Sequence, residues 1–322
     1  MTAATLTAER PGTRPAAAVA MPAAARLAPS FNAGWLAAEL RRVCPPSDDW
    51  RSLVLRAPGG RALPGIPADG PHGDWTDTPW LERLPHTRYI LKAVPAPVVS
   101  ARFLCRAPGS GAVGRIEAAQ GPYWGTARLH VPVETNAQTL LLLDGEVHRW
   151  NPGDLWFGDF TRTHQVRNQG SEHSVHLALD VLLTEPLARL FPVAWRDWFR
   201  AGDVLVNRIP RPVGRAALEA PPRAFELPSA FLLREHPDPL DGYAPTQRAV
   251  LAPEPAAGRM VLRLESGRTL PLVHVGGEEY RFAGRSEERT LQTRGEGARA
   301  EILLRARAGR LERQRTVPLR TP

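Results

Sequence analysis

The chain has 322 residues, 43% of them apolar and 23% charged, which is enough to bury one large core or two modest ones. No apolar run reaches the roughly 18–20 residues that cross a bilayer. Two cysteines, Cys44 and Cys105, exclude a disulfide scaffold or a cysteine-rich zinc module and fit free thiols in a reducing cytoplasm, where the protein is expected.

The net charge is +8, but Lys92 is the single lysine among 41 basic residues. So strong an arginine bias, alongside the abundant Ala, Pro and Gly, reads as a coding bias rather than as a nucleic-acid footprint. Nucleic-acid binding would need basic stretches interleaved with aromatics, and aromatics are only 7%. The basic stretch 295–322 reads as a solvated face.

In chain order, residues 1–30 are predicted to be a disordered Ala/Pro-rich tail, too interrupted by Glu9, Pro11, Pro15 and Pro22 for a signal peptide. Trp35, Leu36, Leu40 and Val43 fall on one helical face, and Pro45-Pro46 ends that helix. Residues 56–76 read as a loop-rich stretch around Gly59-Gly60. Thr78 followed by Pro79 marks a helix start; Pro85 breaks that helix and a second short one follows. From 99 to 183 the period changes to two. Strands are predicted at 99–105, 127–133, 140–143, 147–150, 155–157, 164–167 and 174–180, with Asp144-Gly145 and Asn151-Pro-Gly153 as turns. Short strands at this spacing predict a jelly-roll or barrel. Thr184 caps a returning helical segment through Phe199. Residues 201–225 hold four prolines and read as a linker. Residues 226–322 are predicted to be a small β-rich domain, with runs at 260–264, 270–275 and 280–282 and a Gly276-Gly-Glu-Glu-Tyr280 turn.

Parity on the strands points to a site. Arg128 and His130 share one face of their strand, with Leu129 and Val131 on the other. On the last strand Ser174, His176, Ala178 and Asp180 share a face. If the Leu/Val faces pack on the flanking helices, the polar faces converge inside the barrel, where ligand pockets form. For any single histidine the alternative is a satisfied structural role.

The segments Arg128-Leu-His-Val-Pro-Val-Glu-Thr-Asn136, Trp150-Asn-Pro-Gly153, Thr163-His-Gln-Val-Arg-Asn168 and Val175-His-Leu-Ala-Leu-Asp180, in this order, resemble the aspartyl/asparaginyl/proline β-hydroxylase family. The resemblance covers roughly 35–200. It implies a mainly β domain with flanking helices at 31–200, a double-stranded β-helix of the jelly-roll or cupin-like kind. It also implies Fe(II)- and 2-oxoglutarate-dependent oxygenase chemistry.

The chain departs from the family where that chemistry resides. The family's 2-His-1-carboxylate triad takes two ligands from an H-x-D pair between a Pro-Gly-Ser turn and the R-L-H strand. Here the turn is Pro108-Gly-Ser110, yet no histidine occurs from 87 to 129. Arg115 and Glu117 stand where the pair is expected, Glu117 being a weak substitute ligand, and only the distal ligand, His164, is matched. The arginine that grips the far carboxylate of 2-oxoglutarate is replaced by Ser174, which cannot make a bidentate guanidinium pair. Arg128 and His130 are retained. An upstream His72-Gly-Asp74 has the right letters but lies outside the strands.

The expected pocket is therefore Arg115, Glu117, Arg128, His130, Ser174 and His176. The expected function is a repurposed, non-catalytic binder of an amino acid, peptide or small carboxylate, with no cofactor and no membrane partner. Two alternatives stand beside it. One is an active Fe(II)/2-oxoglutarate-dependent hydroxylase with atypical ligands such as Glu117, His164 and His72 or His176. The other is a metal-independent acid–base enzyme.

Overall fold

The protein is described by a computed structural model that covers residues 21–47, 51–61, 74–111, 116, 121–201, 203–233 and 238–320. Arg115, Glu117 and His72 lie outside the described residues, so their expected roles rest on sequence alone.

The first unit contains β1 (Ala24–Ser30), α1 (Ala33–Val43), β2 (Ser52–Pro58), β3 (Trp75–Asp77), α2 (Pro79–Glu82), α3 (Pro85–Ala93), β4 (Val98–Arg106), β5 (Ser110–Gly111), β6 (Thr126–Glu134), β7 (Thr139–Leu143), β8 (Glu146–His148), β9 (Asp154–Gly158), β10 (His164–Asn168) and β11 (Ser174–Leu182). These strands form a seven-stranded sheet in the order β1-β9-β6-β11-β4-β2-β3 and a four-stranded sheet in the order β5-β10-β7-β8. The crossing order, with β11 between β4 and β6, is what a double-stranded β-helix requires.

The outer face of the large sheet is apolar because the odd positions of β4, β6 and β11 are Leu, Val, Phe, Ala and Cys. Phe103, Leu129, Val131, Leu177 and Leu179 are fully buried there and pack with Leu36 and Leu40 of α1 and Leu81, Leu84 and Ile90 of the next two helices. Asn32 caps α1, accepting from the Trp35 amide at 3.0 Å. Glu39 reaches from α1 to α3 and accepts from the His86 and Thr87 amides at 2.6 and 3.0 Å. A carboxylate on those orphan donors complements the positive end of α3, whose first residue is Pro85.

Four expectations are corrected here. The tail does not extend to residue 30, because Ala24–Ser30 pairs with β9 as an edge strand. Trp35 is 63% exposed, since the 100° step per residue carries it off the Leu36/Leu40 stripe and against the His86 edge. Within the loop-rich stretch 56–76, β2 extends to Pro58; its Leu53, Leu55 and Ala57 are buried in strict alternation. Thr78 starts α2 as expected, but its hydroxyl donates to Val54 O at 2.9 Å instead of capping.

After β11 come α4 (Glu185–Ala188), α5 (Arg196–Ala201) and α6 (Arg215–Glu219), so the predicted linker contains a short helix. The second unit is β12 (Arg223–Pro228), β13 (Thr246–Glu254), β14 (Arg259–Leu264), β15 (Thr269–Gly276), β16 (Glu279–Phe282), β17 (Arg289–Arg294), β18 (Glu301–Ala308) and β19 (Leu311–Pro318). Each strand pairs with the next in one eight-stranded antiparallel meander. Paired amides and carbonyls of Ala224 and Arg320 bring its two ends together, around a core of Phe225, Phe231, Leu262, Tyr280 and Phe282. The Gly276–Glu278 turn has three residues at positive φ, as its two glycines allow. No described helix is long and apolar enough to cross a membrane.

The two units meet through a polar seam. Asn207, 3% exposed, donates to Gly125 O at 2.6 Å and Leu183 O at 2.8 Å, and accepts from the Glu287 amide at 2.8 Å. Ser286 donates to Trp124 O at 2.6 Å. Arg208 joins Glu279 and Glu287 at 2.7 and 2.6 Å. Burial alone would raise the Glu279 carboxyl, but hydrogen bonds from Thr290, Arg208 and Arg307 overcome it and hold its pKa at about 2. Removing the Asn207 side chain leaves the Glu287 amide without its acceptor, while Gly125 O and Leu183 O keep the backbone amides of Leu183 and Asn207; a buried unpaired group costs about 1–3 kcal/mol. Asn207→Ala is therefore expected to lose about 1–3 kcal/mol in urea denaturation; a loss under about 0.5 kcal/mol would mean the seam contributes little.

Candidate functional site

A cavity of about 730 Å³, counting its open mouth, lies between the two sheets of the β-helix. The large sheet supplies Leu104 and Arg106 from β4, Arg128 and His130 from β6, and Ser174 and His176 from β11. The small sheet supplies His148, His164 and Val166, and loops add Trp150 and Phe160. The structure thus brings together every sequence-predicted site residue that it describes. Sequence reasoning missed Arg106, His148, Trp150 and Phe160. For Arg106 the signal was present, because Arg102, Leu104 and Arg106 share the strand face opposite Ala101, Phe103 and Cys105.

Strand register explains the grouping. β11 pairs Asp180 with Arg128, Ala178 with His130 and His176 with Pro132. On its other edge it pairs Asp180 with Ser100 and Ser174 with Arg106. Arg128 Nε and Nη2 donate to the two Asp180 carboxylate oxygens at 2.6 and 3.2 Å. Ser100 donates to Asp180 at 2.7 Å, and Arg102 lies at 3.6 Å. Burial would raise the Asp180 carboxyl; Arg128 and Arg102 overcome this and hold it far below the usual carboxylate range. Arg128 was expected to face a ligand as a cation. Its charge is instead balanced within the wall, and its guanidinium sits 5.8 Å from the Phe160 ring centre.

Two of the imidazoles, His130 and His176, are held toward the neutral form. His130 is 7% exposed and surrounded by the Trp150, Phe160 and His176 rings at 5.1–5.6 Å between centroids. Burial, then the neighbouring His176 and Arg128, push its pKa well below the ordinary value. Burial and the Arg106 charge lower His176 to about 4. Neither His130 nitrogen has a hydrogen-bond partner among the described residues, and the same holds for Ser174 Oγ and Trp150 Nε1. His148 Nε2, on the same wall, is a fifth. Buried polar atoms in native proteins are nearly always paired, so five such atoms around one cavity make it the candidate ligand site.

His164 is 2% exposed. Its Nδ1 lies 3.0 Å from Arg162 O. A carbonyl only accepts, so Nδ1 carries a proton. No group of three or more His, Cys, Asp or Glu able to hold a metal occurs among the described residues, and Asp180 is committed to its arginines. The described donors do not fit a 2-His-1-carboxylate triad.

Asn168 ties the site together from behind. Fully buried, it donates to Arg106 O and Glu172 O at 3.1 and 2.8 Å and accepts from Asn136 and Thr139 at 3.0 and 3.1 Å. The last residues of two of the sequence motifs, Asn136 and Asn168, thereby lock the ends of β4, β7 and β10 to one another.

Two facing antiparallel sheets around a central polar cavity define a cupin-like double-stranded β-helix domain. Residues 28–183 match the family model described as aspartyl/asparaginyl beta-hydroxylase, the family that the sequence motifs resemble. Among solved structures, a non-heme monooxygenase, ThoJ in complex with nickel, is 16% identical, with 50% of this chain and 73% of that one covered at a TM-score of 0.33. An oxidoreductase of the 2OG-Fe(II) oxygenase family from Burkholderia pseudomallei is 11% identical over 40% and 66% of the two chains, TM-score 0.29. A cupin 2 conserved barrel domain protein from Salinispora arenicola is 19% identical over 34% and 75%, TM-score 0.20. No curated protein matches the chain.

The neutral histidines have a pH consequence. The His176 pKa is lowered from 6.5 to about 4 on folding, so between those values the unfolded chain binds a proton that the folded chain does not. Stability is then fully present above pH 6.5 and is lost as the pH falls toward 4. Urea denaturation at pH 7 and pH 4.5 is expected to differ by about 1–3 kcal/mol from this group. His176→Gln should flatten that difference; an unchanged difference would count against it.

Proposed function

We propose that the β-helix domain binds a small carboxylate-bearing molecule, such as an amino acid, an acid of similar size or a peptide terminus, in the inter-sheet cavity without iron. The observation that carries this reading is the chemistry of the cavity wall. It holds two guanidiniums, four imidazoles of which two are held toward the neutral form, five buried polar atoms without a hydrogen-bond partner among the described residues, and no carboxylate among its described lining residues. Such a wall attracts an anion and offers it hydrogen bonds in a region of low dielectric, where they are strong. Trp150, Phe160 and Leu104 supply the apolar contact that orients a small ligand.

The absence of any histidine from 87 to 129 supports the metal-free part of the reading. The family's iron chemistry takes two ligands from that stretch, and a lone imidazole does not build the triad. Binding of a ligand to the native state raises the melting temperature by mass action. A thermal-shift panel of amino acids and mono- and dicarboxylates, run in EDTA, is expected to contain at least one compound that stabilises the protein. His164→Ala should leave that shift in place. Oxygen uptake coupled to 2-oxoglutarate decarboxylation, dependent on added Fe(II) and abolished in His164→Ala, would replace this reading with an active hydroxylase.

A further inference from the structure

We propose that the corner of the cavity built by Trp150, Phe160 and His148 is a subsite for a flat ring, so that the ligand class is an aromatic or heteroaromatic carboxylate. This rests on the reading that the cavity holds a small carboxylate, and it names what that carboxylate is attached to.

The indole of Trp150, in the loop after β8, is fixed from behind. Trp156 of β9 stacks on it, with centroids 5.3 Å apart and planes 11° apart. Trp150 lines the cavity and Trp156 does not. Phe160 closes the corner, and Gly158 at the end of β9 permits it: a Cβ there would stand 2.8 Å from the Phe160 ring and 3.3 Å from the Trp150 ring. Two rings held by packing offer π surface with little freedom left to lose when a third ring joins them.

The ring edges in this corner carry unused polar atoms. Trp150 Nε1 and His148 Nε2 are buried and have no hydrogen-bond partner among the described residues, and their rings lie 6.4 Å apart. An indole N–H only donates, while an imidazole nitrogen donates or accepts according to its tautomer. Together they can read a heteroatom in or on a ligand ring. Leu141, the cross-strand partner of His148, adds an apolar surface beside them. An aliphatic diacid would bring a second charge against this corner at a desolvation cost. Aromatic corners also hold ammonium groups, but the described lining includes two arginines and no carboxylate, so a cation would find no counter-charge there.

The test uses the full chain in EDTA and isothermal titration with benzoate, cyclohexanecarboxylate, the three pyridinecarboxylates and succinate as probes. Benzoate and cyclohexanecarboxylate are alike in size and charge and differ in the π system, so benzoate is expected to bind roughly tenfold tighter. One pyridinecarboxylate should bind tighter than benzoate by roughly threefold or more, because a ring nitrogen that meets the indole N–H gains a hydrogen bond. Trp150→Phe keeps a ring and removes the donor. It should abolish the pyridine preference while keeping benzoate ahead of cyclohexanecarboxylate. Trp150→Leu should reduce that second ratio to about threefold or less. Melting temperatures establish that each variant is folded; if Trp150→Leu is not, the wild-type ratios and Trp150→Phe still decide. Cyclohexanecarboxylate or succinate binding as tightly as benzoate overturns the aromatic class while leaving the carboxylate reading intact. A pyridine preference that survives Trp150→Phe overturns the role of the indole N–H. A wild type that binds none of the probes overturns the proposal together with the reading beneath it.

Discussion

β11 lies between β4 and β6 and is hydrogen-bonded along nearly its whole length to both. Its register decides which side chains share the cavity. Asp180 meets Arg128 on one flank and Ser100 on the other, while Ser174 meets Arg106. A slip of one residue would turn Leu177 and Leu179 into the cavity and drive Asp180 into the apolar layer. The fully buried Leu/Val face, packed against α1, α2 and α3, makes that slip prohibitive. Packing on one side of the sheet thus sets the polar chemistry on the other.

The cavity owes its character to how charge is distributed along that strand. Asp180 neutralises Arg128 within the wall, so this charge is spent on structure. The field of Arg106 helps to keep His176 neutral. Neutral imidazoles can donate from one nitrogen and accept at the other.

The second unit buttresses the first at one place. The 284–290 segment, with Ser286, Glu287 and Glu288 buried, packs on the turn at Pro122–Trp124 and on Asn207. That turn leads directly into β6, the strand that carries Arg128 and His130. Gly125 allows the approach: its φ is +76°, and a Cβ there would stand 3.0–3.1 Å from Asn207, Leu205 and Ser286. The buried Glu279 and Glu287 carboxylates are shared between Arg208 and the arginines of β18, Arg305 and Arg307 on Glu279 and Arg307 on Glu287. The C-terminal sheet therefore acts on the start of β6 through a rigid polar seam.

Much of the β-helix was legible from residue order. Period-two alternation located β4, β6, β7 and β9–β11, and the Asp144-Gly145 and Gly276-Gly277 turns follow from residues that tolerate positive φ. Parity alone placed Arg128, His130, Ser174 and His176 on inward faces, because the side chains of a strand alternate whatever the strand packs against. The reading that the H-x-D pair and the last-strand arginine are replaced likewise rests on letters alone. Other features were decided only in three dimensions. The Asp180–Arg128 pair, the Arg106–Ser174 ladder position and the Asn136–Asn168 knot join residues 32 to 68 positions apart, and which of them meet depends on the register of strands that are not neighbours in the chain. The same holds for β1, whose residues 24–30 carry a weak pattern and become a strand by pairing with the edge offered by β9. A short segment shows which way its side chains alternate; only the packed sheet determines what stands opposite them.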